Sequence, residues 1–176
     1  MDGLNTRCAL TREHRLPEFD RTGRCARLAW EHACRARDEA AEKYPGVTTG
    51  HILLGVLQEP SCAGGMLLRK MRVDMDLAIE MTRFVLFYGR RPEETAGPDE
   101  WAGVPHTPEA LAVLSYALEE ADLYHAAYPI GTEHLLLALL RVPRSTGGRM
   151  LRYLGVEHEH ARATRDAFWE LLRLSE

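Results

Sequence analysis

The chain has 176 residues, 45% of them hydrophobic and 27% charged, which is enough to bury a core without metals or disulfides. This composition excludes a wholly disordered, collagen-like or low-complexity chain. The formal net charge of −4 comes from 22 basic and 26 acidic residues, so no global positive field favours nucleic acid.

The first 18 residues are polar, which predicts a flexible tail in which no signal peptide is visible. No stretch approaches 18 consecutive apolar residues, so no membrane span is predicted. Cys25 and Cys34 are too far apart along one predicted helix for a disulfide, and no C-x-x-C pair exists. We therefore expect a cytoplasmic protein whose cysteines are reduced. The cysteines in question are Cys8, Cys25, Cys34 and Cys62.

Two stretches of the chain repeat each other at a constant offset. Residues 47–78 match residues 130–161 at a shift of 83 without a gap. The matched pairs include Thr49 with Thr132, His51 with His134, Leu53 with Leu136, and Gly64 with Gly147. Upstream the match resumes at a shift of 85, which pairs Thr22 with Thr107 and gives the first copy two extra residues before Val47. The duplication predicts a pseudo-twofold domain built from repeat 1, residues 19–88, and repeat 2, residues 106–176.

Each repeat is predicted to form four helices, about eight in all, so the predicted fold class is all-α. Thr107 and Pro108 form a good N-cap and first-turn pair for the first helix of repeat 2. The second helices, ILLGVL and LLLALL, are apolar on all sides, and periodicity alone also permits a buried strand. Thr49 and Thr132 as caps, with the Leu and Ala content, favour a short central helix.

The later elements of each repeat follow from cap and turn residues. Ser61 and Ser145 are predicted to cap the third helices, and Gly155 suits the C′ position after the one in repeat 2. A polar, proline-containing stretch predicts a linker between the repeats. The two predicted fourth helices and the linker occupy residues 74–86, 157–172 and 89–105.

The segments IGTEHLLLALL (residues 130–140) and GGRMLRYLGV (residues 147–156), with looser copies in repeat 1 at residues 47–57 and 64–73, resemble the Clp N-terminal domain of ClpA- and ClpC-type unfoldase ATPases. Repeat 2 is the closer copy, through Thr107, Glu120, Ala121 and residues 130–140, and the resemblance covers about residues 19–173. It implies an all-α bundle that receives adaptors and substrates for an ATPase ring above a peptidase. The sequence contains no G-x-x-x-x-G-K-[ST], so we expect a free-standing Clp N domain without a motor or a cofactor.

The triplet Thr132-Glu133-His134 has two interpretations. In the structural one, Thr132 caps the helix, Glu133 faces its positive end and His134 packs. In the other, implied by the resemblance, the Glu helps to hold the guanidinium of phosphoarginine, while a helix start such as that at Thr107 holds the phosphate. Repeat 1 has Gly50 in place of Glu133, so at most one such site is expected. The candidate ligand- or partner-binding residues are Thr22, Thr49, His51, Thr107, Thr132, Glu133 and His134.

Other motifs favour simpler interpretations. His158 and His160 are two positions apart on a predicted helix and do not share a face, so a solvated helix start is favoured over a metal site. No signature of a catalytic nucleophile is present, and we predict no catalytic residue and no metal ligand. Phe87, Tyr88 and Trp101 flank the linker, where they form either an exposed apolar patch for a partner or a packing surface for the linker.

These observations predict a non-enzymatic protein-binding module that acts as an adaptor, regulator or decoy in Clp-dependent degradation. Its partners would be a Clp ATPase, an adaptor or a marked substrate, with neither nucleic acid nor membrane involved. The alternative is a small-molecule binding or resistance protein that titrates cyclic peptides away from the Clp ATPase N domain.

Overall fold

The structure, a computed structural model, describes residues 19–89, 100–123 and 129–173. Within these ranges it has eight α-helices and one small antiparallel hairpin, which confirms the predicted all-α class. Repeat 1 holds a short 3-10 turn (Phe19–Arg21), α1 (Arg24–Glu39), α2 (Thr49–Leu57), α3 (Ala63–Lys70) and α4 (Met75–Tyr88). The hairpin of β1 (Glu100–Trp101) and β2 (Val104–Pro105) precedes repeat 2, which holds α5 (Pro108–Asp122), α6 (Thr132–Leu140), α7 (Thr146–Tyr153) and α8 (His158–Arg173). The predicted tail, residues 1–18, and residues 90–99 of the predicted linker lie outside the described residues.

The two apolar segments that periodicity left open are helices. Every residue of α2 and of α6 is buried. Each central helix packs against the first helix of its own repeat and against the third helix of the other repeat, so the two repeats share one core. No helix among the described residues is long and apolar enough to cross a bilayer.

Two pairs of backbone hydrogen bonds cross between the repeats and correct the predicted alignment. The amide of Gly23 donates to the Ile130 carbonyl (2.8 Å), and the amide of Thr107 donates to the Val47 carbonyl (2.9 Å). Because Val47 and Ile130 are equivalent, these bonds equate Gly23 with Thr107, a shift of 84 at the helix starts. The shift of 85 was wrong there, since it followed the identity of Thr22 and Thr107. Repeat 1 thus has one extra residue before Val47.

The cap residues agree with the sequence at some helices and differ at others. Thr107 caps α5, its Oγ1 accepting from the Ala110 amide, and Ser145 caps α7 in the same way through Gly148. Gly155 has φ +76° after α7, as its predicted C′ role requires. The predicted Thr49, Thr132 and Ser61 caps were wrong. The N-caps at these helices are Thr48, Gly131 and Cys62.

The prediction that all cysteines are reduced was also wrong. Cys25 of α1 and Cys62 at the start of α3 form a disulfide, with Cα atoms 6.0 Å apart. The sequence argument considered only partners along one helix, whereas these residues are 37 positions apart and meet because α3 begins beside α1. Cys34 is free, and Cys8 lies outside the described residues.

Candidate functional site at the helix starts

The seven candidate residues lie at the starts of α1, α2, α5 and α6, where the two repeats meet. Each of these residues is at most 6% exposed. They are Thr22, Thr49, His51, Thr107, Thr132, Glu133 and His134. The structure therefore brings all of them into the seam between the repeats, where their side chains are buried.

The two motif threonines each bind the opposite repeat. The Oγ1 of Thr49 accepts a hydrogen bond from the Gly147 amide of α7 (3.0 Å), and that of Thr132 accepts one from the Gly64 amide of α3 (2.9 Å). A Cβ on Gly64 would lie 2.7 Å from the Thr132 carbonyl oxygen, and one on Gly147 2.6 Å from that of Thr49. Glycine is needed at both positions for the helices to approach this closely. The paired glycines of the repeat were the sequence signal for this contact.

The two motif histidines each accept a hydrogen bond from the N-cap amide of their own helix. The Nδ1 of His51 accepts from the Thr48 amide (3.1 Å), and that of His134 from the Gly131 amide (2.9 Å). Each ring thereby satisfies the amide of its N-cap residue, as the third helical residue does in a capping box. Burial, helped by Arg37, lowers the pKa of His51 to about 3, and burial, helped by Arg165 and Arg21, lowers that of His134 to about 4. Both rings are neutral at neutral pH.

Glu133 is turned back over the start of its own helix. A Cβ on Gly131 would lie 2.2 Å from its Oε2, which shows how closely the carboxylate covers the N-cap. The carboxylate also accepts from its own amide and lies near the Arg165 guanidinium, but burial outweighs both and raises the pKa of Glu133. Its Oε1 is 3.6 Å from the Nδ1 of His134, which is no ion pair because that ring is neutral. The Glu133 side chain is 8% exposed.

A buried charge cluster in repeat 2 was missed by the sequence argument. Glu120 of α5 is fully buried, and its Oε1 lies 2.7 Å from Nη2 of Arg162 and 3.5 Å from Nη1 of Arg141. Its Oε2 is 3.5 Å from Nη1 of Arg165, which is itself 2% exposed and also contacts Asp166. The signal was available, because Glu120 lies on the same helical stripe as the core residues Ala117 and Ala121. We refer to Glu120, Arg141, Arg162 and Arg165 as the Glu120 cluster.

The start of α8 lies beside this cluster. Burial, helped by Arg162, lowers the pKa of His158, whereas Glu159 and His160 are exposed. Among the described residues, no three His, Cys, Asp or Glu side chains are grouped as metal ligands would be.

The aromatic residues near the predicted linker divide into two groups. Trp101 is buried and meets Trp30 edge to face, with ring centroids 5.5 Å apart. Tyr88 is 80% exposed at the end of α4.

A small apolar cavity of about 20 Å³ lies between Trp30, Trp101, Ile52 and Leu135, across the seam. It has room for about one water molecule.

Comparison with known proteins identifies the family. The family described as "Clp repeat (R) N-terminal domain" matches residues 29–154. The chain belongs to the Clp N-terminal domain family. It is 28% identical over 142 residues to the ATP-dependent Clp protease ATP-binding subunit ClpC of Staphylococcus aureus (strain USA300), and 27% identical to that of Staphylococcus epidermidis (strain ATCC 12228 / FDA PCI 1200). Each match covers 80% of this chain and 16% of the relative.

The match covers only a small part of each relative's length. The chain spans about a sixth of the ClpC proteins that it matches, and the family match over residues 29–154 includes parts of both repeats. The domain is a protein-binding module of the Clp system, and these residues contain no ATPase module.

Proposed function

We propose that this chain is a docking module in Clp-dependent protein degradation that acts as an adaptor, regulator or decoy. The observation that supports this proposal is the family match over residues 29–154, which includes parts of both repeats. The partner would be a Clp ATPase, an adaptor or a degradation substrate. We also propose a cytoplasmic location. The Cys25–Cys62 disulfide argues against this location, because cytosolic thiols are kept reduced. Thiol labelling in cells tests it, and a Cys25–Cys62 pair that is oxidised in cells contradicts a cytoplasmic location.

The docking role is tested with a purified ClpC-type ATPase, its peptidase and a fluorescent substrate. A chain that acts as an adaptor raises the degradation rate, and one that acts as a decoy or inhibitory regulator lowers it, in both cases in proportion to direct binding to the ATPase or substrate. A chain that binds neither and leaves the rate unchanged at saturating concentration contradicts the proposal.

Binding of arginine-phosphorylated substrates is a finer proposal, and it is restricted to repeat 2. Repeat 2 has the Glu133 carboxylate, whereas Gly50 stands there in repeat 1, with Leu86 and Thr146 each 3.0 Å from where its Cβ would lie. One site per chain is therefore expected. A carboxylate hydrogen bond to a guanidinium contributes about 1.5–3 kcal/mol.

Calorimetric titration with phosphoarginine tests the single site. Glu133→Gln should weaken binding roughly tenfold or more, because the amide keeps the shape and loses the charge. Glu159→Gln is the matched control, since Glu159 is also in a first helical turn but is exposed. Equal effects of the two variants, or two equal sites in the unmodified chain, would rule out Glu133 as the selecting group.

The alternative proposal, capture of cyclic peptides, requires the seam between the repeats to open. The cavity between Trp30 and Trp101 is apolar and lies between the repeats. Its volume of about 20 Å³ is far too small for a cyclic peptide unless the seam opens. A thermal-shift series tests this, since a ligand at a hundred times its Kd stabilises by about 2.7 kcal/mol.

A further inference from the structure

The Cys25–Cys62 disulfide lies close to contacts between the two repeats. Cys25 is in the first turn of α1. Two residues before it, the Gly23 amide donates a hydrogen bond to the Ile130 carbonyl (2.8 Å), just before α6 begins. The Ile130 amide in turn donates to the Arg21 carbonyl (2.9 Å). The segment that leads into α1 is therefore bound to the segment that leads into α6.

The other end of the disulfide lies beside a second contact with α6. Cys62 is the N-cap of α3, and two residues after it the Gly64 amide donates to Oγ1 of Thr132 (2.9 Å). One covalent bond thus links two segments of repeat 1 that bind residues 130–132 of repeat 2. We call the linked residues the α1–α3 clamp: Gly23, Cys25, Cys62 and Gly64.

The opposite side of the seam has equivalent hydrogen bonds without a covalent link. The Thr107 amide donates to the Val47 carbonyl (2.9 Å), and the Gly147 amide donates to Oγ1 of Thr49 (3.0 Å). The residues that stand in place of the two cysteines are Glu109 and Ser145. Reduction can therefore weaken one side of the seam and not the other.

The two sulfur atoms of the disulfide differ in their surroundings. Cys62 is 7% exposed, and its Sγ lies 3.7 Å from Oε2 of Glu59. The Oε1 of Glu59 is 3.1 Å from Nε2 of His32. Cys25 is partly exposed. Because a thiolate that approaches Cys62 also approaches the Glu59 carboxylate, charge and access both favour attack at Cys25.

We propose that the Cys25–Cys62 disulfide is a redox switch on one side of the seam, opened by a dithiol reductant that attacks Cys25. With the bond intact, the α1–α3 clamp holds residues 130–132 against repeat 1. After reduction the starts of α1 and α3 are no longer tied together, so this side of the seam opens more often than the side at Thr107 and Gly147. The switch is a property of the domain and does not depend on which partner it binds.

The exchange reaction transfers two electrons from the dithiol to the disulfide. A thiolate of the reductant attacks Sγ of Cys25, the bond to Cys62 breaks, and its electron pair leaves with the Cys62 sulfur, which takes up a proton. The second thiolate of the reductant then attacks its own sulfur in the mixed disulfide and releases Cys25, which is protonated in turn. The products are two protein thiols and the disulfide of the reductant.

Hydrogen exchange of single amides, followed by NMR on the oxidised and the dithiothreitol-reduced chain, tests the switch. Reduction should speed exchange at Gly23, Gly64 and Ile130 at least roughly tenfold more than at Thr107 and Gly147. This ratio distinguishes a local opening from a general loss of stability, which speeds exchange on both sides alike. Equal acceleration on the two sides, no acceleration, or a pair that excess dithiothreitol does not reduce overturns the proposal.

Cysteine variants assign the effect to this bond. Cys8→Ser combined with Cys34→Ser leaves the chain with Cys25 and Cys62 alone and should show the full response to dithiothreitol. Cys62→Ser should exchange at the reduced rate without any reductant and should not respond to one. Serine suits this position, because Ser145 caps the equivalent helix of repeat 2. A Cys62→Ser chain that exchanges like the oxidised parent overturns the switch.

A short reaction with glutathione, a monothiol, tests the site of attack. After an acid quench, mass spectrometry should find glutathione on Cys25 and not on Cys62. Glu59→Gln should make reduction by dithiothreitol roughly two- to fivefold faster, because it removes the charge beside the disulfide. Glu31→Gln is the matched control and should leave the rate unchanged, since Glu31 is an exposed carboxylate of α1. Glutathione on Cys62, or equal rates in the two variants, overturns attack at Cys25.

Discussion

The two repeats form the same four helices, but repeat 2 buries charged side chains where repeat 1 has neutral residues. Repeat 2 surrounds Glu120 with arginines and adds the buried carboxylate of Glu133. Repeat 1 has neutral residues at all the equivalent places: Ala36, Gly50, Gln58, Ile79 and Thr82. Since both repeats keep the same helix starts and the same contacts across the seam, the scaffold does not depend on the buried charges. What the repeats share is the set of Thr, Gly and His contacts at the helix starts.

Repeat 1 has two features that repeat 2 lacks, a disulfide between α1 and α3 and a glycine where α2 meets α1. Cys62 takes the place of the Ser145 cap, and its disulfide to Cys25 ties α3 to α1. Gly55 takes the place of Ala138, and a Cβ there would lie 1.9 Å from the Ala29 carbonyl oxygen. Repeat 1 is therefore held by a covalent link and by close backbone approach, where repeat 2 uses ion pairs.

The largest effect is expected from opening the Glu120 cluster. Glu120→Ala should reduce the free energy of unfolding by about 3–5 kcal/mol, because it leaves the buried Arg165 guanidinium and Arg162 without this carboxylate. Chemical denaturation followed by circular dichroism measures the change.

A transplant of the repeat 1 residues is the control for that effect. The triple variant Glu120→Ala, Arg162→Ile, Arg165→Thr installs three of the neutral residues of repeat 1. It should recover much of the lost stability, since Arg141, the one cluster residue that stays, keeps its pair with Glu119 (2.7 Å). A triple variant as unstable as Glu120→Ala would show that shape, not charge, distinguishes the repeats.

The disulfide should be the next largest contribution, and it belongs to repeat 1 alone. Cys25→Ser should cost about 2–4 kcal/mol, chiefly because the unfolded chain regains the freedom of the closed loop. Reduction of the parent chain should have the same effect and should release two additional thiols in a thiol titration. Cys34→Ser is the control, since Cys34 is outside the bond. If reduction releases no thiols, repeat 1 lacks its covalent link.

Gly55 of α2 and Ala138 of α6 occupy equivalent positions, and exchanging them compares how tightly the two central helices pack. Gly55→Ala should cost about 1–3 kcal/mol, because its Cβ meets the α1 backbone at a fully packed position. Ala138→Gly in repeat 2 should cost only about 0.5–1 kcal/mol, the loss of helix propensity. Thermal unfolding of both variants gives the answer, and equal costs would mean that α1 moves aside freely.

The pH dependence of stability should differ between the two repeats because of their buried histidines. The folded pKa values of about 3 for His51 and about 4 for His134 lie below the usual 6.5, so below pH 6.5 the unfolded chain binds protons that the folded chain does not. Stability is therefore present above pH 6.5 and is lost as the pH falls toward 4, by about 1.4 kcal/mol per pH unit for each histidine. Burial raises the pKa of Glu133, which opposes this loss in repeat 2 only.

Denaturation between pH 7 and pH 4 tests this prediction with His51→Asn and His134→Asn. Each variant should reduce the slope of stability against pH, in addition to any constant loss from the helix cap. If neither variant changes the slope, other groups govern the acid transition.

The sequence by itself determined the duplication, the all-α class, the burial of α2 and α6 and the family. These features depend on periodicity, on residue identity at a fixed offset and on local cap residues such as Thr107 and Ser145. All of them can be found along the chain without knowing which helices meet.

Only the tertiary structure decided which helix ends meet, and several roles follow from that. Thr49 and Thr132 serve the opposite repeat, Cys25 finds Cys62, and Glu120 is enclosed by arginines from α6 and α8. A hydrogen bond, a disulfide or a buried ion pair depends on distances of a few ångströms between atoms far apart in sequence. Local propensity does not specify these distances, because they are fixed by how closely the glycine-bearing helices pack across the seam.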